Sequence, residues 1–519
     1  MRLQSLIPAG LAGLLLGLGA VPLAGATVSS RQLSGSFSLI EDEPLFTFKY
    51  STPDPNPTNW VGLYNSFGGG PEHEQYVEPS LVWKYAPDSA GTVHLPVSAL
   101  QPGSYKVFFL AKDGYKWLAE PIEVFLRDSG PISFIVDNAT LHNARQGDPF
   151  EARISGLLSG GDGDPALKFA KVNLGGDGDE WVEVHADGTI SGTPGPSAKR
   201  TRVSIEATTG PDGSTARLDV IIPVRPSGRP LVRRLSVLTY NLWHGGTQVD
   251  DHHRKQVRFL LDSGADVVGL QESTGGHATR LARALGWHAW QGDDVGIISR
   301  YPIVAEHRQG GYGGAVRVAL DGDTSQINLW NVHLGYTPYG PYDFCFDNMT
   351  AERVLDREAV SGRTPQIVAT MAAMRDQLAG SDDVPVLLLG DFNAPSHLDW
   401  TEALRGKNCG KADIPWPTST EPTEAGMVDS FRAAHPDPAA EPGITWSPIY
   451  LDNGGRPEPL DRIDFIYYSG SLSVLGSEAL VVGDPAPMPN HWGNEWTSDH
   501  AAVRTIFHVG PCVPRPRRV

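Results

Sequence analysis

Apolar positions along this chain repeat with two periods, and the period changes once. Up to about residue 226 the runs are short and strand-like: FTFKYS, NWVGLY, GTVHLP, SYKVFFLA and then EWVEVHADGTISGTP. Each is bounded by Gly, Pro, Asn or Asp, which supply turns. Asp113-Gly114 is a hairpin-type pair, and the chain turns again at Asp187-Gly188 and through Gly192 and Pro194. From about residue 235 strands alternate with helical segments. LSVLTYNLW and ADVVGLQE read as strands, with a helix in DDHHRKQVRFLLDSG between them. TPQIVATMAAMRDQLAG predicts a helix capped by Thr364, with Pro365 in its first turn and Gly380 past its end. Ile367, Met371, Met374 and Leu378 share one face of it, which makes them core. The pattern predicts a multidomain chain: two all-β sandwich domains, then a layered α/β domain.

The 519 residues exceed what one core usually serves, consistent with that division. The segments read as a signal peptide (1–26), a β-sandwich module (27–127), a second β-sandwich (128–226), a Pro/Gly-rich linker (227–234), the α/β domain (235–508) and a tail (509–519). Arg2, an apolar middle and Ala24-Gly25-Ala26 form the export signal, so the expected location is extracellular. No later run is long and apolar enough to span a bilayer. Three cysteines fit an exported protein that does not depend on disulfides; Cys345 and Cys409 lie in loop-like stretches, and their pairing is open.

Polar residues recur where strands of the α/β domain end. SVLTY ends in Asn241, DVVGL in Gln271 and Glu272, INLWNV in His333, and VLLL in Asp391 and Asn393. RIDFIYY carries Asp464, and SDH sets Asp499 and His500 before AAVRTIF. A single polar strand end is an ordinary turn or cap. Five or six of them are most simply explained by one site held on rigid strands. The set contains no nucleophilic Ser or Cys. Its carboxylate and amide oxygens suit Mg²⁺ or Mn²⁺, with Ca²⁺ also compatible, and not a closed zinc site. Such a set favours metal-assisted attack of water on phosphorus.

The motifs TYNLW, LQES, NVHLG, GDFNAP, DRIDFIYY and SDHAAV, in that order and spacing, resemble the endonuclease/exonuclease/phosphatase superfamily over residues 235–508. The resemblance implies a four-layer α/β sandwich, two packed mixed sheets covered by helices. It implies metal binding by Glu272, with Asn241 and Asp499 near the metal or its waters. It implies that Asp391 activates or orients the attacking water and that Asn393 holds the water or the phosphate. His333 and His500 would hydrogen-bond phosphate oxygens, and Asp464 would orient His500. The deoxyribonuclease branch pairs the His333 position with a further carboxylate, for which the sequence offers no clear counterpart. Residues 27–127 resemble small β-sandwich domains appended to extracellular phosphoesterases. Residues 128–226 resemble immunoglobulin-like and cadherin-like surface repeats, through Gly147-Asp148-Pro149 and Asp187 to Pro194.

Substrate choice lies between the motifs. GYTPYGPYDFCFDNMTAERV, beside His333, and SPIYLDNGGRPEPLDR, beside Asp464, are aromatic- and Pro-rich insertions without a Lys/Arg cluster. Arg300 and Arg317 are the nearby bases. The net charge of −18 opposes non-specific contact with a polyanion. A secreted phosphodiesterase or phosphomonoesterase for small, lipid-linked or extracellular organic phosphates ranks first. An extracellular nuclease, with DNA or RNA as substrate only, ranks next, and a non-enzymatic surface-binding protein last. The β modules are candidates for cell-wall or glycan contact. Their dense aromatics read mainly as sandwich core.

Overall fold

The computed structural model describes residues 33 and 35–510, except 41–45, 67–69, 97–99, 101–102, 127–130, 162–165, 173–177 and 211–212. The export signal expected at 1–26 lies outside the described residues. No helix among them is long and apolar enough to cross a membrane.

The first β-rich region pairs a three-stranded sheet (Ser36–Leu39, Thr47–Ser51, Ala90–His94) with a four-stranded one. The latter runs Val82–Tyr85, Trp60–Asn65, Gly103–Leu110, Ile122–Leu126. Alternation of side chains decides its two faces. Val61, Leu63, Val107 and Phe109 face the core, while Trp60, Tyr64, Phe108 and Leu110 form a second aromatic layer behind it. The aromatics expected as core are mostly so, but Trp83 and Tyr85, on the edge strand, are 51% and 48% exposed.

The second region places the sheet Lys168–Val172, Thr201–Thr208, Thr215–Ile222, Asn138–Thr140 with the sheet Phe150–Arg153, Thr189–Gly192, Val182–Val184. Its core continues without a break into the α/β region: Ile190, Val203 and Leu218 belong to one apolar cluster with Leu281 and Leu285. Arg300 is built into this junction. It donates to the carbonyls of Ala265 and Thr140, so it is a tie between regions rather than a base at the strand ends. Arg317 is likewise engaged, with Asn328.

Two six-stranded mixed sheets follow. The first runs His288–Gln291, Gly296–Ser299, Val267–Gln271, Arg234–Asn241, Ala502–Val509, Leu472–Leu480. The second runs Ile303–Gln309, Gly313–Ala319, Gln326–His333, Val386–Asp391, Asp464–Ser469, Val428–Asp429. Each holds one parallel pair near its centre, Arg234–Asn241 with Val267–Gln271 and Gln326–His333 with Val386–Asp391. The run VLLL explains the packing. Leu387 and Leu389 enter the core shared with Val237, Val267 and Val503 of the other sheet. Val386 and Leu388 point the other way, under Ile367, Met371 and Met374 of the helix Arg363–Ala379. That helix buries the predicted face, but its N-cap is Gly362, without a side-chain bond, and Thr364 lies inside the first turn. The insertion after His333 is not all loop: it holds helices Gly340–Cys345 and Ala351–Val360. A disulfide joins Cys345 to Cys409 and fastens the first of these helices.

Candidate active site

The strands converge as the polar ends required. His333 and Asp391 are Cα partners across the parallel pair, and Asp391 and Asp464 are partners across the next. Three of the expected residues thus share one rung of the second sheet. Asn241, at the end of the first sheet, reaches across: its Nδ2 donates to Asp391 Oδ2 at 3.1 Å and to Glu272 Oε1 at 3.3 Å. Its Oδ1 accepts from Trp243 N at 2.9 Å, so the amide turns its nitrogen to the carboxylates. Ser498 donates to the Asn241 carbonyl and accepts from His500 N, which fixes the SDH segment against this strand.

Gly390 makes the rung possible. It sits at φ +145°, and a Cβ there would lie 1.9 Å from the Val332 carbonyl oxygen. Beyond it the chain turns tightly: Asp391 Oδ1 accepts from Asn393 N at 2.8 Å, and Asn393 adopts φ +50°. Asn393 Nδ2 donates to Leu334 O at 2.9 Å. The buried Arg363 donates to the carbonyls of Asn393, Gly335 and Tyr336 and is paired with Glu358, clamping the two loops that follow the His333 and Asp391 strands. Glu272 has φ +52°, and Trp243 and His244 are also in the left-handed region. Such conformations cost about 1–3 kcal/mol each in non-Gly residues and cluster at functional sites.

Two histidines flank Asp391. His500 Nδ1 and Asp464 Oδ2 are 2.9 Å apart, leaving Nε2 to face Asp391 at 3.7 Å. His333 Nε2 faces the same oxygen at 3.6 Å, and its Nδ1 is 2.5 Å from Asp294 Oδ2. Asp294 is the carboxylate partner the sequence did not reveal. It lies in the turn QGDDVG, ahead of the strand Gly296–Ser299 and not at a strand's end. Thr274 Oγ1 donates to its other oxygen at 3.1 Å.

Burial and charge compete here. Desolvation pulls the histidines toward neutrality, but the carboxylates outweigh it. Asp294, Asp391 and Glu272 hold His333 up at about 9, and Asp464 and Asp391 hold His500 well above the usual imidazole range. Asp294 falls below its ordinary value because the His333 contact outweighs burial. Burial lifts Asp391 to about 6, opposed by His500 and reinforced by Asp464. Burial, with Glu272 and Asp391 nearby, lifts Asp499 to about 7 against the pull of His500.

The donor set fits a hard cation. Asp499 Oδ1 and Asp464 Oδ1 are buried and lack hydrogen-bond partners, and Asp499 is repelled by Glu272 and Asp391. An orphaned buried carboxylate oxygen among like charges is what a bound divalent ion would satisfy. Asp391, Asp464 and His500 also bring one ligand atom each within 4.8 Å of one another. Since His500 Nδ1 is taken up by Asp464, the oxygen-rich side formed by Glu272 and Asp499 could better hold a divalent ion.

An aromatic wall leads away from the centre. Trp446 packs on His500 with ring centroids 5.1 Å apart, and Tyr450 stacks on Trp446 at 5.4 Å. The two insertions are clasped behind it: Tyr342 and Trp446 both donate to Glu458, and Tyr339 donates to Asp461.

Comparison with known proteins agrees with the motifs. The model of the Endonuclease/Exonuclease/phosphatase family matches residues 238–500. An uncharacterized protein of Caenorhabditis elegans, F14F9.5, is 34% identical over 292 residues, covering 52% of this chain and 90% of that protein. Among solved structures, truncated TDP2 of C. elegans is 16% identical, covers 53% of this chain and 98% of its own, and has a TM-score of 0.36. An AP endonuclease of Leishmania major is also 16% identical, over 53% of this chain and 88% of its own, with a TM-score of 0.35. The chain belongs to the endonuclease/exonuclease/phosphatase family, whose members are hydrolases of phosphoester bonds.

Proposed function

We propose that the protein is an exported, divalent-metal-dependent hydrolase of phosphodiester or phosphomonoester bonds. The observation that carries this reading is the constellation around Asp391: two histidines within 4 Å of its Oδ2, each with its own carboxylate partner, and an orphaned carboxylate beside them. The apolar segment ahead of Ala26 supports export. The two shared-core sheets, with helices packed behind each, support the four-layer reading of the catalytic region.

Glu272 and Asp499 would hold Mg²⁺ or Mn²⁺, with Asn241 keeping the carboxylates in register. The ion supplies a positive charge that polarises the phosphoryl group and stabilises the charge it gains. The remaining work belongs to the chain. Asp391 Oδ2 takes a proton from water as the water oxygen bonds phosphorus, and the leaving oxygen departs with the bonding pair and is protonated by solvent. Asn393 holds the water or a phosphate oxygen through the turn it forms with Asp391. His333 and His500 donate from Nε2 to non-bridging oxygens, where donors already in place are worth several kcal/mol, about 3–4 each. Asp294 and Asp464 hold both rings protonated and oriented by accepting at Nδ1.

Asp391→Ala and His500→Ala are each expected to lose at least about 100-fold in hydrolysis of bis-p-nitrophenyl phosphate while melting as cooperatively as wild type. Normal activity in either variant would sink the assignment.

A further inference from the structure

Exposed aromatic residues are not scattered over this molecule. Among the described residues, the exposed Trp and Tyr side chains are Tyr76, Trp83, Tyr85, Tyr336 and Trp492. Tyr76, Trp83 and Tyr85 lie in one ten-residue segment of the first β region, with Val77 and Leu81 exposed among them. Ring contacts join the patch: Tyr76 to Tyr115 at 5.7 Å, Tyr115 to Trp60 at 6.0 Å, Trp60 to Trp83 at 6.4 Å, Trp83 to Tyr85 at 5.1 Å. Exposed single apolar residues need no explanation, but a contiguous patch of them does.

That segment reaches the catalytic region. Glu78, between Val77 and Leu81, is seated against Gly275, where a Cβ would lie 2.4 Å from its carboxylate oxygens. Gly275 follows Thr274, the residue that holds Asp294 behind His333. The other two exposed aromatics are connected to the same site. Tyr336 follows His333 by three residues, and its carbonyl is held by Arg363. Trp492 ends a chain of rings that starts at the centre: Trp446 on His500, then Tyr450, Trp243, His491 and Trp492. Leu451 and Met488, also exposed, sit on the same loops.

We infer that the segment 76–85 and the Trp492 loop dock the catalytic mouth on the surface of a zwitterionic phospholipid bilayer, whose headgroup phosphodiesters are then the substrate class. The second half of this statement rests on the hydrolase reading above. Three features select this occupant. The side chains are the Trp, Tyr and aliphatic mixture that sits at a membrane interface, apolar body inward and N–H or O–H at headgroup level. The two exposed rings of the edge strand are splayed, Trp83 at 77° to Tyr85, so they form no flat platform for a sugar chain, and Val77 and Leu81 offer a glycan no hydrogen bonds. The net charge of −18 repels anionic polymers and anionic bilayers alike.

The test is sedimentation of the full-length exported protein with phosphatidylcholine vesicles and with phosphatidylglycerol vesicles, alongside hydrolysis of soluble bis-p-nitrophenyl phosphate with Mg²⁺. Wild type is expected to sediment with phosphatidylcholine vesicles at least tenfold more than with phosphatidylglycerol. Trp83→Ser with Tyr85→Ser, and separately Trp492→Ser, are each expected to lose at least fivefold of that binding, with unfolding curves confirming that each variant is folded. Wild type that stays in the supernatant while hydrolysing the soluble ester overturns the docking and leaves the hydrolase. Wild type that sediments but does not hydrolyse the ester keeps the docking and overturns the hydrolase. Binding unaltered in both variants, or retention on insoluble polysaccharide through the same residues in place of vesicles, overturns the docking surface.

Discussion

At the scale of single residues, Asp391 is governed by what surrounds it rather than by its own chemistry. Burial raises it, two imidazoliums lower it, and Asn241 and Asn393 fix its two oxygens. His333 depends in the same way on Asp294, which sustains its protonated form up to about pH 9. Asp294→Asn removes that support, so His333 should lose its proton at lower pH. The alkaline limb of kcat/KM against pH is then expected to move from about 9 toward neutrality. An alkaline limb that stays in place in Asp294→Asn would show that His333 does not govern it. The positions of Asn241, Glu272, His333, Asp391 and Asn393, where apolar strands stop, and of Asp464, Asp499 and His500, where they begin, were legible from the apolar runs beside them. Asp294 was not, since it lies in a turn with the composition of any solvated loop. The left-handed backbone of Glu272 and Asn393 was equally hidden, because neither residue type demands it.

At the scale of elements, period-two alternation sorts the VLLLGD strand between two cores. Leu389 meets the facing sheet and Leu388 the Arg363–Ala379 helix, both fully buried. Leu389→Ala should cost about 2–5 kcal/mol of stability, read as a lower denaturation midpoint. It opens a space between the sheets two residues from Asp391 on the same strand, so kcat should fall as well. A loss of less than about 1 kcal/mol would mean that the two sheets do not share this core. Such elements could be read from the sequence because periodicity is a local property. The Thr364 cap was misplaced because Gly362 in the left-handed region starts the helix earlier. The insertion after His333 looked like a loop because its helices are short and rest on a disulfide and buried tyrosines rather than on a long periodic face.

At the scale of the whole molecule, contacts between regions set the behaviour, and no local pattern encodes them. Arg300 reaching Thr140 and Glu78 meeting Gly275 join segments more than a hundred residues apart. One more such assembly stands behind the Glu272 loop. The half-buried Arg280 donates to His277, Gln256 and the Gly245 carbonyl and contacts His253, with His252 adjacent. Burial and then Arg280 lower His252 to about 4, and His253 and His277 fall well below the usual range. The unfolded chain therefore binds protons first. His252 costs nothing above about pH 6.5, and its penalty grows as pH falls from there toward 4. Asp461, raised to about 7 by burial, acts in the opposite sense, so the comparison is between variant and wild type. His252→Gln should gain about 2 kcal/mol relative to wild type on going from pH 7 to pH 5, measured by urea denaturation at each pH. An unchanged difference between the two pH values would remove His252 from the acid response.

The most direct measurement is hydrolysis of bis-p-nitrophenyl phosphate by the purified protein with Mg²⁺, with Mn²⁺ and with chelator, in wild type and Asp391→Ala. Hydrolysis that requires the ion and falls at least about 100-fold in the variant is the predicted result. Hydrolysis undiminished by chelator, or undiminished in Asp391→Ala, would contradict a metal-assisted site centred on this carboxylate.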